Sequence, residues 1–414
     1  MGAMLSEPVA AVVVERTSTH CWSAATATMQ GWRRTHEDAH IMRCAAGAAE
    51  DAGIFAVLDG HGGQACALAA SGFLEAHLGG VASRGTLPAA AAEEALQGVF
   101  KTVDAQLRED LPADDRSGST VVAAVVTQPR PGDYCVHIAN AGDSRAVLCT
   151  GGGKELVCSE DHKPQRPDET ERICAAGGFV QAGPFGGGPL RVDGALAVSR
   201  AVGDFHFKSL DLAPERCKVT AVPEVTTVQH CAQGDWLLLA CDGIFDVMDN
   251  EEVRGFVAER LANKADDPGS IVADLMSRCL EKGSKDNCTA CLVKFLAGGA
   301  ASLAKPAQVT RDLLQGPWEL ASPDIKQKYA DFFAAEGFEA EARKLRERGD
   351  EMEAMASVPT SRPTVPPASA PTGSGGSPPA RSSQLASLTK ALQAMRASRA
   401  IQGAWRRSAG RLMG

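Results

Sequence analysis

Three apolar runs of strand length each break on an aspartate with a glycine beside it. GIFAVLDGHGG closes on Asp59, VHIANAGDS on Asp143 and WLLLACDG on Asp242, while a fourth run, DNCTACLV, opens on Asp286. Short aliphatic or β-branched runs bounded by Gly, Asp or Asn read as strands. On that basis Gly53–Leu58, Thr120–Thr127, Tyr134–Ile138, Ala146–Cys149, Trp236–Ala240 and Ala290–Phe295 are expected to be strands. Helical patterning falls on Gln64–Leu78, Ala89–Arg108, Asp168–Ala176, Asn250–Ala262 and Ser270–Lys282. Asp249 and Asn250 followed by Glu251 and Glu252 make a helix start, and Pro268 precedes the next helix. Strands in runs and helices in pairs predict an α+β fold with antiparallel sheets rather than a doubly wound parallel one. Neither type of Gly-rich nucleotide-phosphate loop is present.

A carboxylate at the lip of a buried strand is costly unless it is paired or bound to a cation. One such aspartate is most simply a turn former. Four of them point to a shared cation site, to which Glu37 in MQGWRRTHEDAH adds a fifth acid. The RRTHED segment taken alone would pass for a solvated charged loop. Carboxylates without a Cys or His cluster favour Mg²⁺ or Mn²⁺, and several in one place suggest two metals about 4 Å apart that activate a water. Arg33 then has a role, because its planar fork suits two oxygens of a phosphoryl group.

Composition narrows the function classes. Arg381, Lys390, Arg396, Arg399, Arg406, Arg407 and Arg411 form a basic tail with no acid after Glu353. Removing those seven from the 42 Lys and Arg leaves the rest of the chain at a net charge of −16 against 51 Asp and Glu, which argues against nucleic-acid binding there. The 13 cysteines show no disulfide framework; Cys288 and Cys291 come nearest a zinc signature with C-T-A-C, but no second pair or His cluster accompanies them, and in their apolar run they read as buried thiols. No apolar run is expected to span a bilayer, and no secretory leader is evident, so a cytoplasmic protein is expected.

From about Cys21 to Phe295 the chain resembles the metal-dependent serine/threonine protein phosphatases of type 2C. The segments that carry the resemblance are QGWRRTHEDAH, FAVLDGHGG, SGSTVV, ANAGDSRAV, DHKP with ETERICAAGG, LAVSRAVGD, PEV, LACDGIFDVM and KDNCT, in the family's order. The resemblance implies a central antiparallel β-sandwich flanked by helix pairs, with two Mn²⁺ or Mg²⁺ ions at one end. It implies hydrolysis of phosphoserine and phosphothreonine by a metal-activated water without a covalent intermediate. Carried over by position, Arg33 grips the phosphate. Glu37, Asp59, the carbonyl of Gly60, Asp242 and Asp286 are direct or water-mediated ligands of the two metals. Asp143 belongs to a third, weaker metal, His61 is the general acid, and Asp38 orients a metal-bound water. Thr120, Ser199, Arg200 and Asp204 read as structural residues near the site. A scaffold protein with a dead site would lack one of these carboxylates or the arginine, and none is missing. A helix-loop-helix calcium site would need a spacing the chain does not have.

Two departures stand out. QAGPFGGGPL lengthens the flap segment, so substrate preference does not carry over, and Phe245 stands in DGIFDV where Trp is commoner. The expected organisation is a catalytic domain over 20–297, a helical appendage over 298–356, a Pro/Ser-rich linker over 357–383 that cannot bury enough apolar surface to order, and a basic amphipathic helix over 384–414. In that helix Ile401, Gln402, Arg406 and Arg411 form an incomplete IQ-like pattern, which together with Trp405 suggests a calmodulin-like partner ahead of a membrane surface or docking on the acidic catalytic domain. MGAMLS fits the N-myristoylation pattern at Gly2, which would give reversible, weak membrane association.

Overall fold

The computed structural model describes residues 4–45, 51–183, 188–263, 267–298 and 309–356, with backbone alone at 44–45 and 348–356. The readings of Gly2, of residues 184–187 in the flap, of the linker and of the basic tail lie outside the described residues. The chain divides into two compact units after Leu314.

In the first unit all six expected strands occur, and they fall into two antiparallel sheets. One sheet runs, in spatial order, Glu155–Cys158, Arg145–Thr150, Trp236–Ala240, Cys288–Phe295, Trp22–Met29, Val12–Ser18 and Thr310–Leu314. The other runs Glu224–Ala232, Asp133–Ala141, Val121–Arg130, Asp51–Leu58 and Ala39–Ala45. The Trp22–Met29 strand, WSAATATM, was not anticipated. Its small and hydroxylic residues carry little strand signal, and burial between neighbours on both sides decides its conformation. Thr310–Leu314 is likewise a strand, within the stretch expected to be a helical appendage.

The five-stranded sheet is buried on both faces, which explains its unbroken apolar runs. Phe55, Val57, Val122, Ala124 and Val126 point into the sandwich. Their alternates Ile54, Ala56, Leu58, Val121, Ala123 and Val125 pack under the helices Ala65–Ala82 and Ala89–Asp110. Aromatic pairs join the two sheets: Trp22 meets Phe55 edge-on at 6.1 Å and Tyr134 stacks on Phe295 at 4.7 Å. On the other side, Pro268–Lys282 lays Ile271, Leu275 and Met276 on the seven-stranded sheet. A capping box between Asp249 and Glu252 starts Asn250–Ala262, as the sequence indicated.

The expectation that no segment is apolar enough to span a bilayer needs correction. Among the described residues one helix, Ala65–Ala82, qualifies by length and composition. Its interspersed Gly, Ser and His hide this in the sequence, and the helix buries Leu74, Leu78 and Val81 under the sheet as a core helix. In the second unit, Pro323–Ala335 and Glu339–Ala356 pack together around Tyr329, Phe332, Phe333 and Leu345.

Candidate active site

Four strand ends converge at one end of the sandwich. Asp51–Leu58 delivers Asp59 and Gly60, and Asp133–Ala141 delivers Asp143 through Gly142. Trp236–Ala240 leads through Cys241 to Asp242, and Asp286 stands just before Cys288–Phe295. The pairing of Ala240 with Ala290, and of Val121 with Ala141, fixes which ends meet. Carboxylate oxygens of Asp59, Asp143 and Asp242 consequently lie within 4.8 Å of one another. Gly60 is required by close approach, since a Cβ there would sit 2.1 Å from the carbonyl oxygen of Glu37.

The other expected site residues surround this cluster. Arg33 is ion-paired with Asp286 and also feels Asp59 and Asp242. Glu37 is not in the three-carboxylate group. Its carboxylate accepts from the Thr35 hydroxyl at 2.8 Å and from the Gly63 N–H at 3.3 Å. Asp38 lies deeper and immediately precedes the Ala39–Ala45 strand. One of its oxygens accepts from the Thr289 hydroxyl at 2.6 Å, and Oδ1 is buried with no hydrogen-bond partner. Thr289 in turn bonds Thr28, and Thr28 bonds a buried His36. Burial, and then the charge of His40, hold that imidazole down to about 3, so it is neutral.

The electrostatics show a site short of positive charge. Burial, followed by the charges of neighbouring carboxylates, pushes Asp59 and Asp242 well above the ordinary carboxylate range. Asp38 is raised to about 7 by burial first, with the Asp286 and Asp242 charges adding to it. Asp286 is raised by burial even against the Arg33 charge. Three clustered carboxylates and an orphaned buried oxygen beside them suit hard divalent cations, whose charge would cancel this repulsion. Lys163 pairs with Asp143 and brings an ammonium group to the cluster. Burial lowers its pKa, but Asp143 outweighs that effect and raises it.

Three residues near the site do more than the sequence suggested. Asp204 accepts a 2.7 Å contact from His61 Nε2 and raises the imidazole pKa against the opposing effect of burial. Gly118 makes room for that carboxylate, which would lie 2.1 Å from a Cβ. Asn287 clamps the RRTHED loop, receiving the Glu37 N–H at 3.0 Å and donating to the carbonyls of Gln30 and Thr35 at 2.8 and 3.0 Å. Lys163 and Asn287 were visible within DHKP and KDNCT, but only proximity in space shows what each one holds. Thr120 bonds Ser144 at 2.6 Å, and its N–H donates to the Asp59 carbonyl at 3.0 Å. Ser199 and Arg200 belong to a buried network around Glu169.

Comparison with known proteins points the same way. A family model described as protein phosphatase 2C matches residues 23–288. A probable protein phosphatase 2C of Caenorhabditis elegans is 38% identical over 327 residues, 75% of this chain and 86% of the relative. Protein phosphatase 1B of Rattus norvegicus is 38% identical over 319 residues, 73% of this chain and 77% of the relative. Among solved structures, a phosphatase from a pathogenic strain of Toxoplasma gondii is 29% identical with a TM-score of 0.63, covering 72% of this chain and 99% of that one.

Proposed function

Since the chain belongs to the protein phosphatase 2C family and is accordingly a Mg²⁺- or Mn²⁺-dependent protein serine/threonine phosphatase, we propose how its own residues divide the work. The observation that carries the reading is the approach of Asp59, Asp143 and Asp242 to within 4.8 Å, with the ion pair of Arg33 and Asp286 beside them. Asp59, Asp242 and Asp286, with Glu37 and the Gly60 carbonyl, would hold two divalent ions, and Asp143 a third. When bound, these ions supply Lewis-acid stabilisation of the phosphoryl oxygens and activation of water.

The protein's own part is positioning and proton transfer. Phosphoryl transfer needs charge stabilisation on the equatorial oxygens and an in-line nucleophile. The Arg33 guanidinium is half exposed and can trade one carboxylate contact for phosphate oxygens. His61, held by Asp204, would give a proton to the departing serine or threonine oxygen. Asp38, fixed by Thr289, would orient water from beneath. The test is hydrolysis of a phosphothreonine peptide with and without Mn²⁺. Activity that needs the ion and is lost in Asp242→Asn is expected, and equal activity in that variant at limiting Mn²⁺ would overturn the assignment.

Substrates are phosphoproteins. The finer partners rest on sequence outside the described residues. The IQ-like tail with Trp405 supports a calmodulin-like partner, and the N-terminal pattern supports myristoylation of Gly2 on a cytoplasmic protein with weak membrane association. Titrating a Gln384–Gly414 peptide with calmodulin, with and without Ca²⁺, and measuring the intact mass of native material test the two separately.

A further inference from the structure

At the other end of the same strands lies a second group of metal-ligating side chains. Asp51 opens the strand that Asp59 closes, about 26 Å away at the rise of extended chain. His20, Cys21 and Asp51 bring one imidazole nitrogen, one sulfur and one carboxylate oxygen within 4.8 Å of one another. His20 Nε2 is 2.8 Å from Asp51 Oδ2. The Cys21 thiol is buried and donates to Gln128 Oε1 at 3.1 Å. The turn that carries His20 and Cys21 is held by Thr19, whose hydroxyl oxygen accepts from the N–H groups of Cys21 and Trp22 at 3.1 and 3.2 Å.

A second observation points into this group. Gln128 is 7% exposed, and its Nε2 is buried without a hydrogen-bond partner. The Tyr134 hydroxyl nearby shares its one proton between the carbonyls of Cys21 and Leu296. A buried donor left unmade costs about 1–3 kcal/mol, so its place beside a buried thiol calls for a reason. A thiolate supplies one. With the sulfur deprotonated, turning the Gln128 amide end over points one Nε2–H at an acceptor.

We propose that His20, Cys21 and Asp51 form a second metal site, for a borderline transition ion such as Zn²⁺. Thiolate, imidazole and carboxylate are a zinc donor set, whereas the oxygen-only cluster around Asp59 selects hard cations. On binding, the Cys21 thiol releases its proton to solvent and the sulfur bonds the metal, while His20 exchanges its contact with Asp51 for the ion. Three donors among the described residues leave a coordination position for water. The ion links the turn before Trp22–Met29, in one sheet, to the first residue of Asp51–Leu58, in the other, and so stabilises the folded sandwich by mass action.

The test uses the full chain saturated with Mg²⁺ and titrated with Co²⁺, whose thiolate-to-metal charge-transfer absorption reports sulfur ligation and is silent at carboxylate sites. The wild type should develop this absorption, and Cys21→Ser should lose it. Because Cys21 is buried and its replacement can compromise folding, His20→Ala and Asp51→Asn, at more exposed positions, carry the decision. Each should weaken Co²⁺ binding about tenfold or more, abolish the rise in Tm that Zn²⁺ gives the wild type, and leave Mg²⁺-dependent phosphatase activity unchanged. No such absorption in the wild type, its persistence in folded Cys21→Ser, or wild-type Co²⁺ affinity in both other variants would overturn the proposal.

Discussion

Asp59 and Asp242 sit beside other carboxylates, whereas Glu169, fully buried, sits between two guanidinium groups. Arg172 meets Glu169 through two contacts of 2.7 Å, Arg200 through contacts of 3.0 and 2.8 Å, and the Ser199 hydroxyl adds a third partner. The consequences are opposite in sign. Burial raises all of these carboxylates, but hydrogen bonds and charge from Arg172 and Arg200 pull Glu169 down to about 2, while Asp59 and Asp242 are pushed up by their neighbours. One region carries its own counter-ions and is structural. The other is left short of positive charge, and that shortage marks where divalent ions and a phosphoryl group belong.

The contrast is broken most severely at the cluster. Asp242→Asn or Asp59→Asn should lower Mn²⁺-dependent turnover by about a hundredfold or more, beyond the usual cost of losing a ligand's outer-shell partner. The same change removes a buried like charge, so the metal-free variant should melt no lower than metal-free wild type. A chelator should lower the Tm of wild type more than that of the variant. A large drop in metal-free Tm for either variant would show that these aspartates brace the fold.

Glu169→Gln should behave in the reverse way. It leaves Arg172 and Arg200 buried with a weaker partner and should cost about 3 kcal/mol of stability by denaturant unfolding. Added Mn²⁺ should restore little of that loss. If stability is unchanged while turnover collapses, Glu169 belongs to the chemistry and the comparison fails.

Asp204→Asn separates positioning from metal binding. It should reduce turnover of a phosphothreonine peptide about tenfold through a misaligned His61. Hydrolysis of p-nitrophenyl phosphate, whose leaving group needs no proton, should fall far less. Equal losses on both substrates would remove His61 from the acid role.

The gentlest perturbation, with no substitution at all, is the acid dependence of the Glu169 network. Its carboxyl sits at about 2 in the fold against an ordinary 4.5, so its contribution to stability is complete above the ordinary value and fades as pH drops toward 2. Over that interval wild type should lose stability more steeply than Glu169→Gln, as read from urea midpoints at successive pH values.

Much of this was legible in the sequence because the relevant signals are local. Trp236–Ala240 and Asn250–Ala262 occur with the bounds expected, since an unbroken aliphatic run and a capping box are complete within a few residues. WSAATATM was not legible, because alanine and threonine become strand residues there only through neighbours distant in sequence. Asp204 was read as structural for a related reason. Within SRAVGD nothing indicates that its carboxylate will face His61, which lies 143 positions earlier.

The sequence by itself determined which residues could carry charge to a strand end, and in what order: Glu37, Asp59, Asp143, Asp242 and Asp286, with Arg33 and His61. Tertiary structure alone decided which of them share a site. Asp59, Asp143 and Asp242 cluster, Asp286 is held by Arg33, Glu37 by Thr35 and Gly63, and Asp38 by Thr289. The physical reason is range. Strand propensity and turn chemistry act over a few residues, whereas the energies of buried charges depend on distance and desolvation, which do not exist until the two sheets have closed on each other.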